Sequence, residues 1–562
     1  METAFRDLCE LCEKLAATTK RLVKIGLAAD FLKSLQPQEV EPAVSMILGR
    51  PFPKWDQRVL EISWTTLSGL IKQVTNLDWN DFRAAYSQTG DVGSAVKAVF
   101  EASKIRKQVT LFEKPVTVLE MRRIFENIAE ASGYGSRERK ERLIETLLGR
   151  ISPLEAKYVV KILIFEMRTG FSEGLMEMAV AKAFEVPLEA VQTASMLTGD
   201  IGETASILKT KGKEGLANIG FRVFRPIKPM MAQVAQNVDE VLKEARGPVA
   251  FEHKLDGARI QIHKSGNDVR VYSRRLTDVT ESLPEIVELV AREIKVHEAI
   301  LEGEVIAVGK DRGSPLLFQH LMRRFRRVHG IHEMTQEIPI ELQLFDIIYL
   351  DGTSLVNLPY TERRKKLSEI AGGIELTKEL VTDKAGLAQD FLVEALNKGH
   401  EGLMAKKLDS PYTPGIRGKR WFKIKQILEP LDLVIVAAEW GYGRRHEWLS
   451  DYYLAARDVE TGQFVIVGKT FKGLTDREII DITERLKASV IREEQHRVVV
   501  VPRIVVEVAY NEIQQSPKYE CGMALRFARI TRIRDDKSPE EADTIQHVRE
   551  IYEKQYEKKA KF

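Results

Sequence analysis

Apolar periodicity changes character sharply at one segment, Phe224-Arg225-Pro226-Ile227-Lys228-Pro229-Met230. Two prolines in four residues forbid a continuing helix, because each fixes φ, lacks an N–H and drives the preceding residue to extended backbone. Before this break, residues 1 to about 215 repeat apolar positions at helical spacing, as in Phe31-Leu32-Lys33-Ser34-Leu35 and Tyr158-Val159-Val160-Lys161-Ile162-Leu163. After it, strand-like runs alternate with helical segments. The runs are Val249 to Lys254, Ala258 to His263, Ala299 to Ile306 and Ile340 to Ile347. From about residue 427 short strands dominate: Leu433 to Ala438, Phe464 to Gly468, Val498 to Val501 and Ile504 to Val508, with one helix near 475–490 and a charged helical tail. The expectation is a multidomain α+β chain: an all-helical domain 1–218, an α/β domain 219–426, and a small β-barrel domain with a helical tail, 427–562. At roughly 100–200 residues per domain, 562 residues accommodate these three.

Composition narrows the class. Hydrophobic residues make up 44%, enough for packed cores. No apolar run approaches the ~20 residues of a membrane helix, and the start, Met1-Glu2-Thr3-Ala4-Phe5-Arg6-Asp7, lacks a signal-peptide profile. A soluble, cytoplasmic protein is expected. Cys9 and Cys12 form a C-x-x-C without a second ligand pair nearby, and the flanking Leu8, Leu11 and Leu15 mark them as small core residues of a helix. Net charge is only +3, so any affinity for nucleic acid must reside in local clusters. Two glycine turns, Arg168-Thr169-Gly170 and Thr198-Gly199-Asp200-Ile201-Gly202, could either present N–H groups to a phosphate or cap helices.

Chemistry concentrates in Glu252-His253-Lys254-Leu255-Asp256-Gly257-Ala258-Arg259. The Asp-Gly pair reads as a hairpin turn, with Lys254 at the end of its first strand. A free lysine, with a pKa of about 10.4, is not nucleophilic near neutrality. It becomes so only beside cations, burial or a metal. Phosphoryl chemistry also needs cations for phosphate oxygens and carboxylates for a divalent metal. The chain supplies these parts in order. Ser273-Arg274-Arg275 offers guanidinium groups and Glu302-Gly303-Glu304 two carboxylates on one strand face. Phe345-Asp346 offers a ring able to stack on a base. Glu401-Gly402-Leu403-Met404-Ala405-Lys406-Lys407 and Trp421-Phe422-Lys423-Ile424-Lys425 add a carboxylate and lysines. Any one fragment could be a surface pair; their joint occurrence is what points to a site.

With these motifs the chain resembles the ATP-dependent DNA ligases of the replicative archaeal and eukaryotic type over essentially its full length. The signature K-x-D-G-x-R falls on Lys254, Asp256, Gly257 and Arg259, and R-x-D-K on Arg534, Asp536 and Lys537. The resemblance implies a helical DNA-binding domain, an adenylation (nucleotidyltransferase) domain and an OB-fold barrel. It implies Lys254 as the nucleophile that carries AMP, Glu252 as a reader of adenine and Phe345 as its stacking partner. Arg259 and Arg274 would contact ribose and phosphates. Glu304 and Glu401 would hold the catalytic Mg²⁺, or Mn²⁺. Lys406, Arg417, Lys423 and Lys425 would neutralise phosphate charge, with Arg534, Asp536 and Lys537 orienting pyrophosphate from a barrel that closes for the first step and opens for DNA. ATP is the implied cosubstrate and nicked duplex DNA the implied substrate, gripped through phosphates and sugars by a monomer.

Gln108-Val109-Thr110-Leu111-Phe112 resembles the short peptide that docks replication proteins on the sliding clamp, with Gln108, Leu111 and Phe112 as its anchors; a loop into the next helix is the alternative. An RNA ligase or capping nucleotidyltransferase would share the lysine core but lack the helical region. A non-catalytic nick-binding scaffold predicts a broken lysine or carboxylate motif, and none is broken. An NAD-dependent ligase would carry a four-cysteine zinc module.

Overall fold

The structure, a computed structural model, describes residues 2–103, 114–309, 315–316, 318–325, 331–415, 417–425, 428–442, 445–494 and 497–556, with the side chains at 217, 218, 331, 332, 417 and 556 outside this set. Twelve α-helices among the described residues, from Phe5–Ala16 to Ile201–Lys211, build the N-terminal part. Their starts are written locally. Ser152 and Glu155 form a capping box on the helix Pro153–Leu163, whose first residue is proline. Cys9 and Cys12 are fully buried in the helical core beside Leu8 and Leu15. Of the two glycine turns, the second caps a helix and the first is held by a lysine. The Asp200 carboxylate accepts from the N–H groups of Gly202 and Glu203 at the start of the helix Ile201–Lys211, and from that of Lys54, so those donors are committed to the cap. The carbonyls of Thr169 and Gly170 accept from the buried Lys24 ammonium at 2.6 and 3.0 Å.

The proline segment is pinned group by group. Phe224 N–H donates to His263 Nδ1, Ile227 exchanges two hydrogen bonds with the Gln261 amide, and Met230 N–H donates to the Tyr412 hydroxyl. An extended segment has no ladder of its own, so these side chains satisfy backbone groups that burial would otherwise orphan. Ile227 and Met230 are buried in a cluster with Phe345, Tyr412 and Trp421.

The central part holds β1 (Met231–Ala235), β2 (Val249–Lys254), β3 (Ala258–Ser265), β4 (Asp268–Ser273), β5 (Glu298–Ala307), β6 (Ile340–Leu350), β7 (Thr353–Ser354), β8 (Glu375–Leu376), β9 (Glu379–Thr382), β10 (Gly402–Lys407) and β11 (Arg417–Lys425). They form two sheets, β1-β11-β10-β2-β9 and β4-β3-β5-β6-β7, with β8 added on β6. The hairpin expected at Asp256-Gly257 does not exist. β2 pairs with β9 and β10, β3 pairs with β4 and β5, and the chain crosses between sheets at Leu255-Asp256-Gly257. A turn-prone dipeptide permits reversal, but both edges of each strand are taken by partners remote in sequence.

The C-terminal part adds β12 (Leu431–Trp440), β13 (Leu449–Arg457), β14 (Phe464–Thr470), β15 (Val490–Glu494), β16 (Arg497–Val500), β17 (Val505–Ala509), β18 (Glu512–Gln515), β19 (Met523–Arg526) and β20 (Arg529–Ile533). β12 is long enough to serve two partners on one edge, β17 along Leu431 to Val434 and β16 along Ala437 to Glu439. The helix Asp476–Lys487, opened by a Thr475–Glu478 capping box, buries Ile479, Ile482 and Leu486. The mixed α+β architecture expected from the sequence is present. Among the described residues no helix is long and apolar enough to cross a membrane.

His263 is fully buried; its Nδ1 accepts from Phe224, which fixes the neutral imidazole, and burial pushes its pKa down to about 3. Burial likewise pushes His253 down to about 4, against Glu394. A folded-state pKa below the unfolded value of about 6.5 means that the unfolded chain binds the proton first, so stability is full above that pH and lost as pH falls towards the folded value. Thermal melts should show the wild-type protein losing up to about 3 kcal/mol through His263 between neutrality and about pH 4.5, and His263→Gln should flatten that decline. Parallel slopes for the two proteins would refute the assignment.

Candidate active site

A cleft of about 1420 Å³ lies between the two sheets, with the barrel facing its mouth. Strand ends aim the motif residues into it. Glu252 and Lys254 are two apart on β2 and line the cleft, while His253 packs on the other face against Phe391. Lys423 and Lys425 alternate likewise on β11, opposite Met404 and Gly402 of β10.

One end is a buried charge cluster under an aromatic wall. Glu252, 2% exposed, pairs with Lys406 at 2.7 Å and Arg364 at 3.5 Å, and accepts from the Tyr360 hydroxyl at 2.6 Å. Lys406 is 1% exposed, also donates to the Phe345 carbonyl, and lies 4.9 Å from the Phe345 ring centre and 4.6 Å from that of Trp421. Burial pulls its ammonium below the usual lysine range, against Glu252 and Asp346. Phe345 reaches the cleft through a bulge: β5 and β6 pair Glu302 with Asp346 and then Gly303 with Leu344, leaving Phe345 unpaired between them. Gly303 permits this approach, since a Cβ there would stand 2.8 Å from Leu342 Cδ1 and 2.9 Å from the Gln343 carbonyl.

At the other end Lys254 and Lys425 share one carboxylate oxygen of Glu401, at 2.6 and 2.5 Å. Burial pushes the Glu401 carboxyl up, but Lys254 and Lys425 outweigh it and hold it at about 2. Glu304 differs: burial pushes it up to about 7 despite Lys254 and Arg259, with Glu401 adding to the rise. Two carboxylates within each other's field beside lysines suit a hard divalent cation, which takes one or two carboxylates and completes its shell with water and phosphate oxygens.

Not every expected residue faces open space. Glu302 and Glu304 were expected to act as a pair, yet Glu302 is fully buried and bound to Arg259 and Gln261. Arg259 lines the cleft, but its guanidinium also holds Glu302 and the Met230 carbonyl. Lys406, expected among the phosphate-neutralising lysines, has its charge matched by Glu252 at the aromatic end instead. Arg274 lines the cleft from the turn after β4. Arg417 opens β11, and its side chain lies outside the described ones, as do Gln108, Leu111 and Phe112 altogether. Arg534, Asp536 and Lys537 do not line the cleft. Arg534 and Lys537 bind Asp432 on the barrel at 3.0 and 2.6 Å, and Arg534 also binds Asp536 at 2.7 Å. The barrel residues that line the cleft include Glu512, Arg526 and Phe527 of the β18–β19 hairpin and its exit, and His547 and Ile551 of the last helix. Tyr360, Arg364, Trp421 and Asp432 were not foreseen in these roles. Tyr360 and Arg364 sit four apart on the helix Tyr360–Ile370, a spacing that marks a shared face but not its target.

Three family models match the chain in order: DNA ligase N terminus over residues 4–181, ATP dependent DNA ligase domain over 229–425, and ATP dependent DNA ligase C terminal region over 445–537. The chain is 45% identical over 560 residues to a DNA ligase of Thermococcus fumicolans, covering 99% of this chain and 100% of that one. It is 46% identical over 555 residues to DNA ligase 1 of Korarchaeum cryptofilum, covering 98% and 99%. A solved structure named Pmar-Lig_PreS3 shares the fold with a TM-score of 0.57 at 17% identity, over 94% of this chain and 99% of that one.

The sheet crossing generates a direct test. A Cβ at Gly257 would press on the Val305 carbonyl and stand 2.8 Å from Ile306 Cγ2 and 2.9 Å from Glu304 Cγ. Gly257→Ala should destabilise the protein by about 1–3 kcal/mol in denaturant melts. A variant as stable as wild type would mean that β5 yields freely there.

Proposed function

Because the chain belongs to the ATP-dependent DNA ligases, it is an enzyme that joins DNA using ATP, and we propose that Lys254 is the residue that carries AMP between the two. The observation that carries this reading is the position of Lys254, at the end of β2 inside the cleft, with its ammonium on Glu401 and Lys425 beside it. In the first step the Lys254 amine forms a bond to the α-phosphorus of ATP as the bond to pyrophosphate breaks. The AMP then passes to the 5′-phosphate at a nick, freeing Lys254, and the 3′-hydroxyl displaces AMP to close the strand. Attack requires the neutral amine, so Glu401 must release Lys254 before the step can proceed. Phe345 stacks on the base and Glu252 accepts from its amino group, held ready by Lys406, Tyr360 and Arg364. Arg259, Arg274, Lys423 and Lys425 serve the sugar and phosphates.

Glu304 and Glu401 are the residues that would hold Mg²⁺, with Mn²⁺ as a substitute of the same hard-oxygen preference. When bound, such an ion supplies positive charge where the α-phosphate gains negative charge.

Domains 1–218, 219–426 and 427–562 divide the work: duplex grip, adenylation, and a barrel acting alternately on pyrophosphate and DNA. Nicked duplex in replication and repair is the substrate this division suits, engaged by a monomer. The segment containing Gln108, Leu111 and Phe112 lies outside the described residues and is retained as a proposed sliding-clamp contact.

Two experiments test this reading. Incubation with α-labelled ATP should leave a covalent label that Lys254→Ala abolishes, whereas labelled NAD should leave none; absence of a label from ATP refutes it. Arg534 and Lys537 must leave Asp432 to reach pyrophosphate. Lys537→Ala should therefore slow self-adenylation about 100-fold while sealing of a nick already carrying AMP stays near wild type. The reverse pattern would overturn the role given to the barrel turn.

A further inference from the structure

Residues 51–62 run without helix or strand between two helices of the N-terminal part. They form a strap with fixed anchors. Lys54 N–H donates to Asp200 at 3.0 Å, and its ammonium lies 3.7 Å from Glu173. The Arg225 guanidinium sits 4.4 Å from the Trp55 ring centre and is itself bound to Glu203 at 2.5 Å. Beyond these anchors Gln57 reaches the adenylation domain, where its Nε2 donates to the Leu276 carbonyl at 3.0 Å and its Oε1 accepts from Asp278 N–H at 2.9 Å.

That pair of contacts reads one turn. Ser273 N–H donates to the Thr277 carbonyl and Leu276 N–H to the Ser273 carbonyl, both at 2.8 Å, which closes residues 273–277 into a tight loop. Leu276 holds φ at +67°, a left-handed conformation that a leucine keeps only when its surroundings impose it. A primary amide offers a donor and an acceptor side by side, so Gln57 engages the turn as a neighbouring strand would. The same turn carries Arg274 and Arg275 into the cleft, where the Arg274 guanidinium lies 3.9 Å from Met231 Sδ.

We propose that Gln57 is a positioning residue for the nucleotide step: through the Leu276–Asp278 turn, the helical domain sets where Arg274 meets the phosphates. Seating of the helical domain then bears on self-adenylation as well as on DNA. The inference rests on the role given above to Arg274.

The test is self-adenylation of the full chain, without DNA, followed across ATP concentrations for wild type, Gln57→Ala, Arg274→Ala and the double variant. Gln57→Ala should raise KM for ATP roughly 3- to 10-fold, as expected for losing such hydrogen bonds, with the maximal rate within about twofold and Tm unchanged. In the Arg274→Ala background the same change should add nothing, because the two residues act as one unit. Gln57→Asn, one methylene short of both partners, should behave as Gln57→Ala. An unchanged KM in either Gln57 variant, or effects that multiply in the double variant, would overturn the proposal. A wild-type chain that takes no label at all would refute the ligase reading instead.

Discussion

The backbone of Gly257 lies against Val305 and Glu304 of β5, and the central part depends on that approach. It lets the chain leave β2 in one sheet and enter β3 in the other within three residues. The cleft is the space between the sheets so joined, and Lys254 stands at the crossing. A side chain at Gly257 would push β5 away and widen the space around Glu304.

Charge is treated differently at the two ends of this cleft. At the aromatic end Glu252 and Lys406 are desolvated and matched to each other, an arrangement whose loss of one partner costs about 3–5 kcal/mol and whose geometry is therefore held firmly. At the Lys254 end two lysines converge on one oxygen of Glu401 while burial pushes the Glu304 carboxyl up. That end is unevenly balanced, and a ligand bringing phosphate and a divalent cation would redistribute its partners. A firmly held end and an adjustable one are what the nucleotide-carrying role proposed for Lys254 would require.

Polar side chains addressed to backbone groups hold together segments remote in sequence. Gln261, His263 and Tyr412 hold the proline segment, and Gln57 holds the turn bearing Arg274. On the barrel, Asp432 gathers Arg534 and Lys537 away from the cleft while the β18–β19 hairpin faces it. Polar contacts of this kind fix geometry through the direction of each hydrogen bond.

Periodicity alone located the helical part, the mixed part and the strand-rich C-terminal part, because burying one face of a helix or strand requires apolar residues at 3.6 or 2 residue spacing. Motif order likewise made Lys254, Glu304, Phe345, Glu401 and Lys425 legible as one site, since phosphoryl chemistry limits which residue types can serve. Partner choice was not legible. Asp256-Gly257 reads locally as a hairpin, and only the claims of β9, β10, β4 and β5 on the flanking strands turn it into a crossing. The bulge that presents Phe345, the burial of Lys406 against Glu252, the parking of Lys537 on Asp432 and the reach of Gln57 to Leu276 also join residues far apart in the chain. Local sequence encodes the conformations a segment can adopt, whereas the strand edge, the counter-charge and the backbone group it meets are set by packing of the whole molecule.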